Sequence, residues 1–157
     1  MSADNSNSKK KEFVEKVSLV IEEIGQPRIS GQIMGWLMVC DPPKQSFSDL
    51  VEELGVSKAS ISNMTRMLLQ AGLIEKVRIP GEREIYFQIK EGAWVGVMEK
   101  HLESINSLQR ISKEGLELLE EDPDTDKSRL EEMNKFYQFA EKNMPQLIEQ
   151  YKKENLS

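Results

Sequence analysis

The sequence predicts a mainly α-helical fold with one small β-hairpin: a helix-turn-helix core followed by two long helices. Three observations predict this class. Residues 46–89 read as helix, tight turn, helix and two short strands around a charged turn. Apolar residues recur at helical spacing both before and after this stretch. The chain has 157 residues, enough for one domain or for one domain with an appendage.

The N-terminal part is predicted to contain a tail and two helices. Residues 1–11 are polar, lack the apolar segment of a secretory signal, and are expected to form a disordered tail. One-sided apolar spacing predicts a helix over 12–24. A second helix, Ser30–Val39, is apolar on all sides, which indicates burial inside the domain or at a subunit contact. Its Gly31 and Gly35 would let another backbone approach closely.

A rigid connector with two prolines, residues 41–44, leads into the helix-turn-helix. Ser48 is expected to cap the first helix of the pair, which ends at Gly55. Ser57 stands where the N-cap of the second helix belongs, and Gly72 follows the last residue of that helix. Two helices joined by so short a turn form the helix-turn-helix arrangement.

Two β-prone segments follow, Leu73–Ile79 and Ile85–Ile89, around the turn Pro80–Arg83. A hairpin directly after a helix-turn-helix is a wing, so sequence-specific binding of double-stranded DNA is the leading hypothesis. Residues 57–90 carry six basic and three acidic side chains, whereas the whole chain has a net charge of −6. The positive segment is therefore the one that would meet phosphates, and a dimer would double its charge.

The second helix of the pair is expected to turn a polar face outward, because Ile61, Met64 and Leu68 recur at core-facing intervals. Asn can pair with adenine and Arg with guanine in the major groove, while Ser can bond base edges or phosphate. The residues expected to contact DNA are Ser57, Lys58, Ser60, Ser62, Asn63 and Arg66.

Two alternatives stay open at this surface. Arg83, at the tip of the wing, either reaches into the minor groove or pairs with Glu82 or Glu84, and the local sequence favours neither. A winged helix can also act as a protein-protein interaction module without specific DNA binding, since fold does not decide function. The outward face of Ser, Asn, Lys and Arg favours nucleic acid.

Two long amphipathic helices are predicted after the wing, over Trp94–Glu120 and over 126–144 with a continuation that Pro145 is expected to kink or restart. They hold more apolar surface than a small core can cover, so we expect them to pair two copies of the chain; folding back on their own domain is the alternative. The expected divisions are a disordered tail at 1–11, a winged helix-turn-helix DNA-binding domain at 12–92 and a helical dimerisation region at 93–157.

Aromatic residues are the one sign of a small-molecule effector. Trp36, Trp94, Phe136 and Tyr137, with Phe139, are candidates for a pocket that holds a cation, although core packing is the favoured reading. No catalysis, cofactor or metal is expected, because the chain has one His, one Cys and no phosphate-binding loop or nucleophile elbow. No membrane contact is expected either, since no apolar run is long enough, and the lone cysteine fits the cytoplasm.

The chain resembles the winged-helix regulators of the MarR superfamily in three motifs, Leu54-Gly55-Val56-Ser57-Lys58-x-x-Ile61-Ser62, Leu68-x-x-x-Gly72-Leu73-Ile74 and Pro80-Gly81-x-Arg83-x-x-Tyr86. With Ile24-Gly25-x-Pro27-Arg28, it looks most like the branch named for GbsR, the regulator of glycine betaine synthesis. The resemblance covers residues 25–89. It implies a homodimeric transcription factor that reads DNA with the six residues named above and with Arg83. Some members of that branch respond to choline-type quaternary ammonium, which implies a possible effector class.

Overall fold

The computed structural model describes residues 2–156, so Met1 of the predicted tail and Ser157 lie outside the described residues. The chain divides into two compact units, one up to Ala93 and one from Trp94. The first contains α1 (Ser2–Glu23), α2 (Arg28–Val39), β1 (Gln45–Ser46), α3 (Phe47–Leu54), α4 (Lys58–Gln70), β2 (Ile74–Val77) and β3 (Tyr86–Ile89). The second contains α5 (Ala93–Glu120) and α6 (Ser128–Asn155). The predicted class, mainly helical with a winged helix-turn-helix, is confirmed.

The N-terminal helix is longer than the sequence predicted. Residues 2–11, expected to be disordered, are helical and extend α1 at its N-terminal end. Each residue added to an existing helix gains a hydrogen bond without a new nucleation cost, and lysine is a good helix former. The side chains of residues 2–9 remain exposed. Their polar composition therefore correctly indicated that these side chains are exposed, but it did not exclude a helical backbone.

Helix α1 packs closely on α2 where α2 has its two glycines. A Cβ added to Gly31 would lie 2.7 Å from the Cα of Ser18, and one added to Gly35 would lie 3.1 Å from the Cα of Val14. Val14 and Ser18 are both buried, and the Ser18 hydroxyl donates a hydrogen bond of 2.7 Å to the carbonyl of Glu15. The small residues thus serve a contact inside one domain, which is one of the two uses the sequence predicted.

We expect Gly31→Ala to lower the free energy of unfolding by about 1–3 kcal/mol, because the new methyl group would meet backbone that moves only if α1 shifts. Urea denaturation monitored by circular dichroism measures this. Gly96→Ala is the matched control: Gly96 is also helical, but a Cβ there would meet nothing within 4 Å. Alanine should stabilise that position by about 0.5–1 kcal/mol. Equal effects at the two positions would contradict the tight α1–α2 contact.

The core of the first unit lies between α2, α4 and the sheet. Ile33, Leu50 and Ile61 are completely buried and pack with Trp36 and Phe87. The Trp36 indole N–H donates a hydrogen bond of 3.1 Å to the side-chain oxygen of Gln45 in β1. This bond satisfies a buried polar pair and ties α2 to the edge of the sheet.

Helix α3 begins earlier than predicted: its N-cap is Ser46 and not Ser48. The Ser46 hydroxyl accepts from the Asp49 N–H at 3.0 Å, and the Asp49 carboxylate accepts from the Ser46 N–H at 2.8 Å. This reciprocal pair is a capping box in which aspartate replaces the usual glutamate. The prediction of Ser48 as the N-cap was wrong because strand β1 ends at Ser46 and α3 begins directly after it. A strand of two residues leaves no pattern in the sequence. Gly55 ends α3 as expected, with φ of +63°.

The sheet has three antiparallel strands in the order β1-β3-β2, whereas the sequence predicted two. Ile74 pairs with Ile89 and Val77 with Tyr86, so the wing ladder is shorter than predicted. Beyond it the chain turns at Gly81, whose φ is +87°, and the Glu82 N–H donates to the Ile79 carbonyl at 3.0 Å. The wing is therefore a short ladder with a broad exposed tip.

Helices α5 and α6 pack on each other along the second unit. A Cβ on Gly115 would meet the Leu130 side chain at 3.0 Å, and the buried Ser112 hydroxyl donates to the Asn134 side-chain oxygen at 3.1 Å. Pro145 lies within a continuous α6, so the predicted restart is wrong. A proline costs one backbone bond, and the buried Ala140 and Ile148 on either side hold the helix together. Neither these helices nor any other described between residues 2 and 156 is long and apolar enough to cross a membrane.

Candidate nucleic-acid interface

The N-terminal end of α4 is built around Ser57. Its hydroxyl accepts a hydrogen bond of 3.1 Å from the Ser60 N–H and lies 2.9 Å from the Ser60 hydroxyl, so its predicted role as N-cap is confirmed. The first N–H groups of a helix have no partner within it, and here they belong to an exposed turn that contains Lys58. Free N–H groups and the positive end of the helix dipole suit a phosphate group.

Helix α4 separates a core face from a polar face. Ile61 and Leu68 are buried, and Met64 is partly buried against the same core, as expected. Thr65 is buried too, although it was not predicted as a core residue, and its hydroxyl donates a hydrogen bond to the Ile61 carbonyl at 2.7 Å. The bond to its own helix lets a polar side chain lie inside, which the hydrophobic spacing could not indicate.

The polar face carries the residues that the sequence assigned to base reading. Asn63 and Arg66 are exposed, and Ser60 and Ser62 are partly exposed. The guanidinium Nη1 of Arg66 lies 3.5 Å from the Asn63 side-chain oxygen, so the two polar groups point from one side of the helix. Arg66 forms no ion pair with any residue from 2 to 156. Its donors are available for an external partner.

At the wing tip, Arg83 does not pair with Glu82 or Glu84. Arg83 is exposed and makes no ion pair in the described part of the chain. The carboxylate of Glu84 instead accepts a hydrogen bond from the hydroxyl of Ser48 in α3. Arg83 is therefore free for an external contact, while its place in a minor groove stays a prediction.

Three further cations belong to this surface, although no sequence motif assigned them to it individually. Lys76, Arg78 and Lys90 are exposed and, within residues 2–156, have no carboxylate partner. The sequence did contain a sign of them, because all three belong to the six basic side chains that make residues 57–90 positive. Glu75, in the same strand as Lys76, instead accepts a hydrogen bond from the Gln88 amide at 2.7 Å. The wing thus carries several cations that are free to meet phosphates.

The four aromatic candidates for an effector pocket do not share one cavity. Trp36 lies in the core of the first unit, and Phe136 is exposed with its ring edge-on to Tyr137 at 5.1 Å. A cavity of about 400 Å³ opens within the second unit. It is lined by Trp94, Val95, Met98, Leu147, Ile148, Gln150, Tyr151 and Glu154, so Trp94 alone of the four lines it. No group of three or more potential metal ligands occurs among the described residues.

Comparison with known proteins gives consistent matches along the chain. A family model described as MarR family matches residues 40–85, and one described as MmpR5-like MarR family transcriptional regulator matches residues 92–154. The HTH-type transcriptional regulator MmpR5 of Mycobacterium tuberculosis is 32% identical over 140 residues, which cover 89% of this chain and 85% of that protein.

A second curated protein is similar to half of the chain, and a solved structure is similar to most of it. The putative HTH-type transcriptional regulator YvaV of Bacillus subtilis is 27% identical over 79 residues, 50% of this chain and 44% of that protein. A crystal structure described as a transcriptional regulator superposes with a TM-score of 0.81 at 31% identity, covering 92% of this chain and 99% of the other. The similarity thus extends over the winged helix and the helices after it.

Proposed function

The chain belongs to the MarR family and is a DNA-binding transcriptional regulator, and we propose that it acts as a homodimer on a pseudo-palindromic operator. The observation that carries this proposal is the exposed polar face of α4, whose cation Arg66 has no carboxylate partner within residues 2–156, next to a wing whose cations also form no ion pair there. We further propose membership of the GbsR branch, which the motif Ile24-Gly25-x-Pro27-Arg28 supports.

Helix α4 is the proposed reader of the major groove. A groove about 12 Å wide admits a helix, and the side chains of Asn63 and Arg66 suit the edges of adenine and guanine. Ser60 and Ser62 flank them, while Ser57, Lys58 and the free N–H groups of the first turn would bond phosphate. Arg83 is proposed to enter the adjacent minor groove, where negative potential attracts arginine.

Arg66→Ala is expected to weaken binding to the preferred duplex by about 1–3 kcal/mol, because a bidentate bond to a base edge is lost. Fluorescence anisotropy on the preferred and a scrambled duplex measures the loss on each. Arg66→Lys is the control, since it keeps the charge but cannot form the planar two-donor contact. An equal loss on both duplexes, fully rescued by lysine, would show that Arg66 contacts only phosphate.

The homodimer is supported by apolar side chains that face solvent on α6. Phe136 is 62% exposed, Phe139 68% and Leu147 59%. Monomeric proteins rarely leave a contiguous patch of this kind open, so a second copy is the proposed cover. Two recognition helices related by a two-fold axis would meet successive major grooves, with half-sites about 10 bp apart.

A small-molecule effector is a second proposal, supported by the cavity in the second unit. Trp94 and Tyr151 offer aromatic faces, and the Glu154 carboxylate stands among the lining residues, a combination that suits an organic cation. A ligand changes DNA affinity only by its preference for one arrangement of the two recognition helices. Titrating choline into the protein–DNA complex tests this, and an unchanged DNA affinity would contradict a quaternary-ammonium effector.

Selection of bound duplexes from a random pool, at near-physiological salt, tests the proposed function directly. Enrichment of an inverted repeat is expected, and its half-site spacing gives the distance between recognition helices. A single enriched half-site would contradict the dimer, and binding without any enriched motif would contradict sequence reading by α4. As a regulator on chromosomal DNA, the protein is proposed to work in the cytoplasm, at the nucleoid, without catalysing a reaction.

A further inference from the structure

A hydrogen bond between side chains connects α3 to the wing. The Ser48 hydroxyl, in the first turn of α3, donates to the Glu84 carboxylate, which follows Arg83 in the wing tip. The two residues are 36 positions apart in the sequence. Their bond therefore closes a loop that runs through all of α4, strand β2 and the wing tip.

The backbone reinforces this connection on one side of the bond. Ser46 pairs with Tyr86 in the sheet, and the Phe47 N–H donates to the Ile85 carbonyl at 3.2 Å. These bonds hold the base of the wing against the start of α3. Among the described residues, the tip at 80–83 is held by the hydrogen bond of its own turn, from the Glu82 N–H to the Ile79 carbonyl, so the Ser48–Glu84 bond is the attachment to α3 that lies next to Arg83.

Carboxylates surround this part of the wing. Partial burial is the main cause that raises the pKa of Tyr86, and the charges of Glu82, Asp49 and Glu84 raise it further. Such a negative neighbourhood opposes DNA binding by charge alone. It also offers Arg83 two adjacent carboxylates as internal partners. Glu84 is engaged by Ser48, and Arg83 makes no ion pair within residues 2–156.

We propose that the Ser48–Glu84 hydrogen bond is a latch that positions the wing for DNA binding. It turns the Glu84 carboxylate toward α3 and away from Arg83, so the guanidinium stays unpaired and the tip keeps one orientation. Ser48 and Glu84 are thus positioning residues that act through Arg83. The inference rests on the proposed minor-groove contact of Arg83.

For Glu84→Ala, the latch predicts a change in DNA affinity opposite in sign to the one that charge alone predicts. Removing a carboxylate beside DNA should strengthen binding, and this is expected for Glu82→Ala, whose side chain makes no hydrogen bond or ion pair with the described residues. Glu84→Ala removes the same charge from the other side of Arg83, yet it is expected to weaken binding about two- to tenfold. Ser48→Ala changes no charge and should weaken binding by a similar factor.

The experiment measures the affinity of the full chain for the duplex that the wild type enriches most strongly from a random pool. The variants are Ser48→Ala, Glu84→Ala, Glu82→Ala and Arg83→Ala, together with the double variant Ser48→Ala/Arg83→Ala. Each is tested with A·T-rich and with G·C-rich flanks, because a minor-groove arginine prefers the narrow groove of A·T-rich DNA. Ser48→Ala should lower that preference, and it should add nothing once Arg83 is absent.

Each outcome separates the latch from the wing contact. If Arg83→Ala weakens binding but Ser48→Ala does not, the latch is wrong and the wing contact stands. If Ser48→Ala costs as much without Arg83 as with it, Ser48 contacts DNA phosphate directly, and the latch is again wrong. If Glu84→Ala strengthens binding as Glu82→Ala does, the Glu84 carboxylate acts by its charge alone and the latch is wrong. If Arg83→Ala has no effect, the wing contact and the latch fail together.

Discussion

Replacing Phe136 and Leu147 together by glutamate is expected to give a monomer and to weaken operator binding at least about a hundredfold. The two residues are exposed and lie on one side of α6, since eleven residues are close to three helical turns. In a dimer built on this face, each glutamate would have to leave water without a partner, which costs several kcal/mol. A monomer binds one half-site only. It loses the gain in affinity, about 10²–10⁴, that a dimer obtains because its second recognition helix is already held close to the second half-site. Sedimentation velocity and anisotropy measure the two effects.

A matched pair of substitutions controls for the added charge. Gln138 and Lys142 are exposed on the polar side of the same helix, so Gln138→Glu with Lys142→Gln lowers the net charge by the same two units outside the apolar patch. This variant is expected to stay dimeric and to bind nearly as the wild type does. A dimeric mass for the Phe136/Leu147 variant would refute the assignment of α6 to the interface. Monomers in both variants would show that charge on α6, and not the apolar patch, sets the assembly.

Elements that depend on one or two local residues could be predicted from the sequence. Gly55 and Gly72 end the two helices of the helix-turn-helix with φ of +63° and +74°, a conformation that side chains with a Cβ disfavour. Ser57 caps α4 because its short hydroxyl reaches the N–H three residues on. In each case the residue and the helix end that it determines lie within four residues of each other, so the local sequence was sufficient to predict the helix end.

The features that the sequence did not predict depend on distant partners. Strand β1 exists because Gln45 and Ser46 pair with Phe87 and Tyr86, and this pairing also moved the start of α3 to Ser46. Pro145 was expected to kink or restart α6, but the helix continues through it, with Ala140 and Ile148 buried on either side. Such effects follow from tertiary contacts, which local propensity does not contain.

The candidate site shows the same division. The outward face of α4 followed from the spacing of its apolar residues, because a helix that buries Ile61 and Leu68 must expose Asn63 and Arg66. Whether Arg83 is paired could not be predicted, since its neighbour Glu84 accepts a hydrogen bond from Ser48, 36 residues away in the sequence. The geometry of a recognition helix can thus be read locally, whereas the state of a wing tip cannot.

The second large effect is expected on the inner face of the same helix, at Ile61. This side chain is completely buried against α2 and the sheet, so Ile61→Ala should lower the free energy of unfolding by about 2–5 kcal/mol, through lost transfer energy and the cavity left behind. Ile61→Val should lower it by about 0.5–1.5 kcal/mol. Urea denaturation of each variant measures the loss, and an effect of Ile61→Ala no larger than that of Ile61→Val would contradict burial.

The two faces of α4 should therefore respond in opposite ways to two tests. Ile61→Val keeps the outward face intact, so the folded protein should bind its duplex nearly as the wild type does while unfolding at lower urea. Arg66→Ala removes an exposed side chain with no ion pair among the described residues, so it should leave the unfolding midpoint within about 0.5 kcal/mol of wild type and lower DNA affinity. A loss of both properties in either variant would mean that the two faces are coupled, and that α4 does not read DNA as a rigid helix.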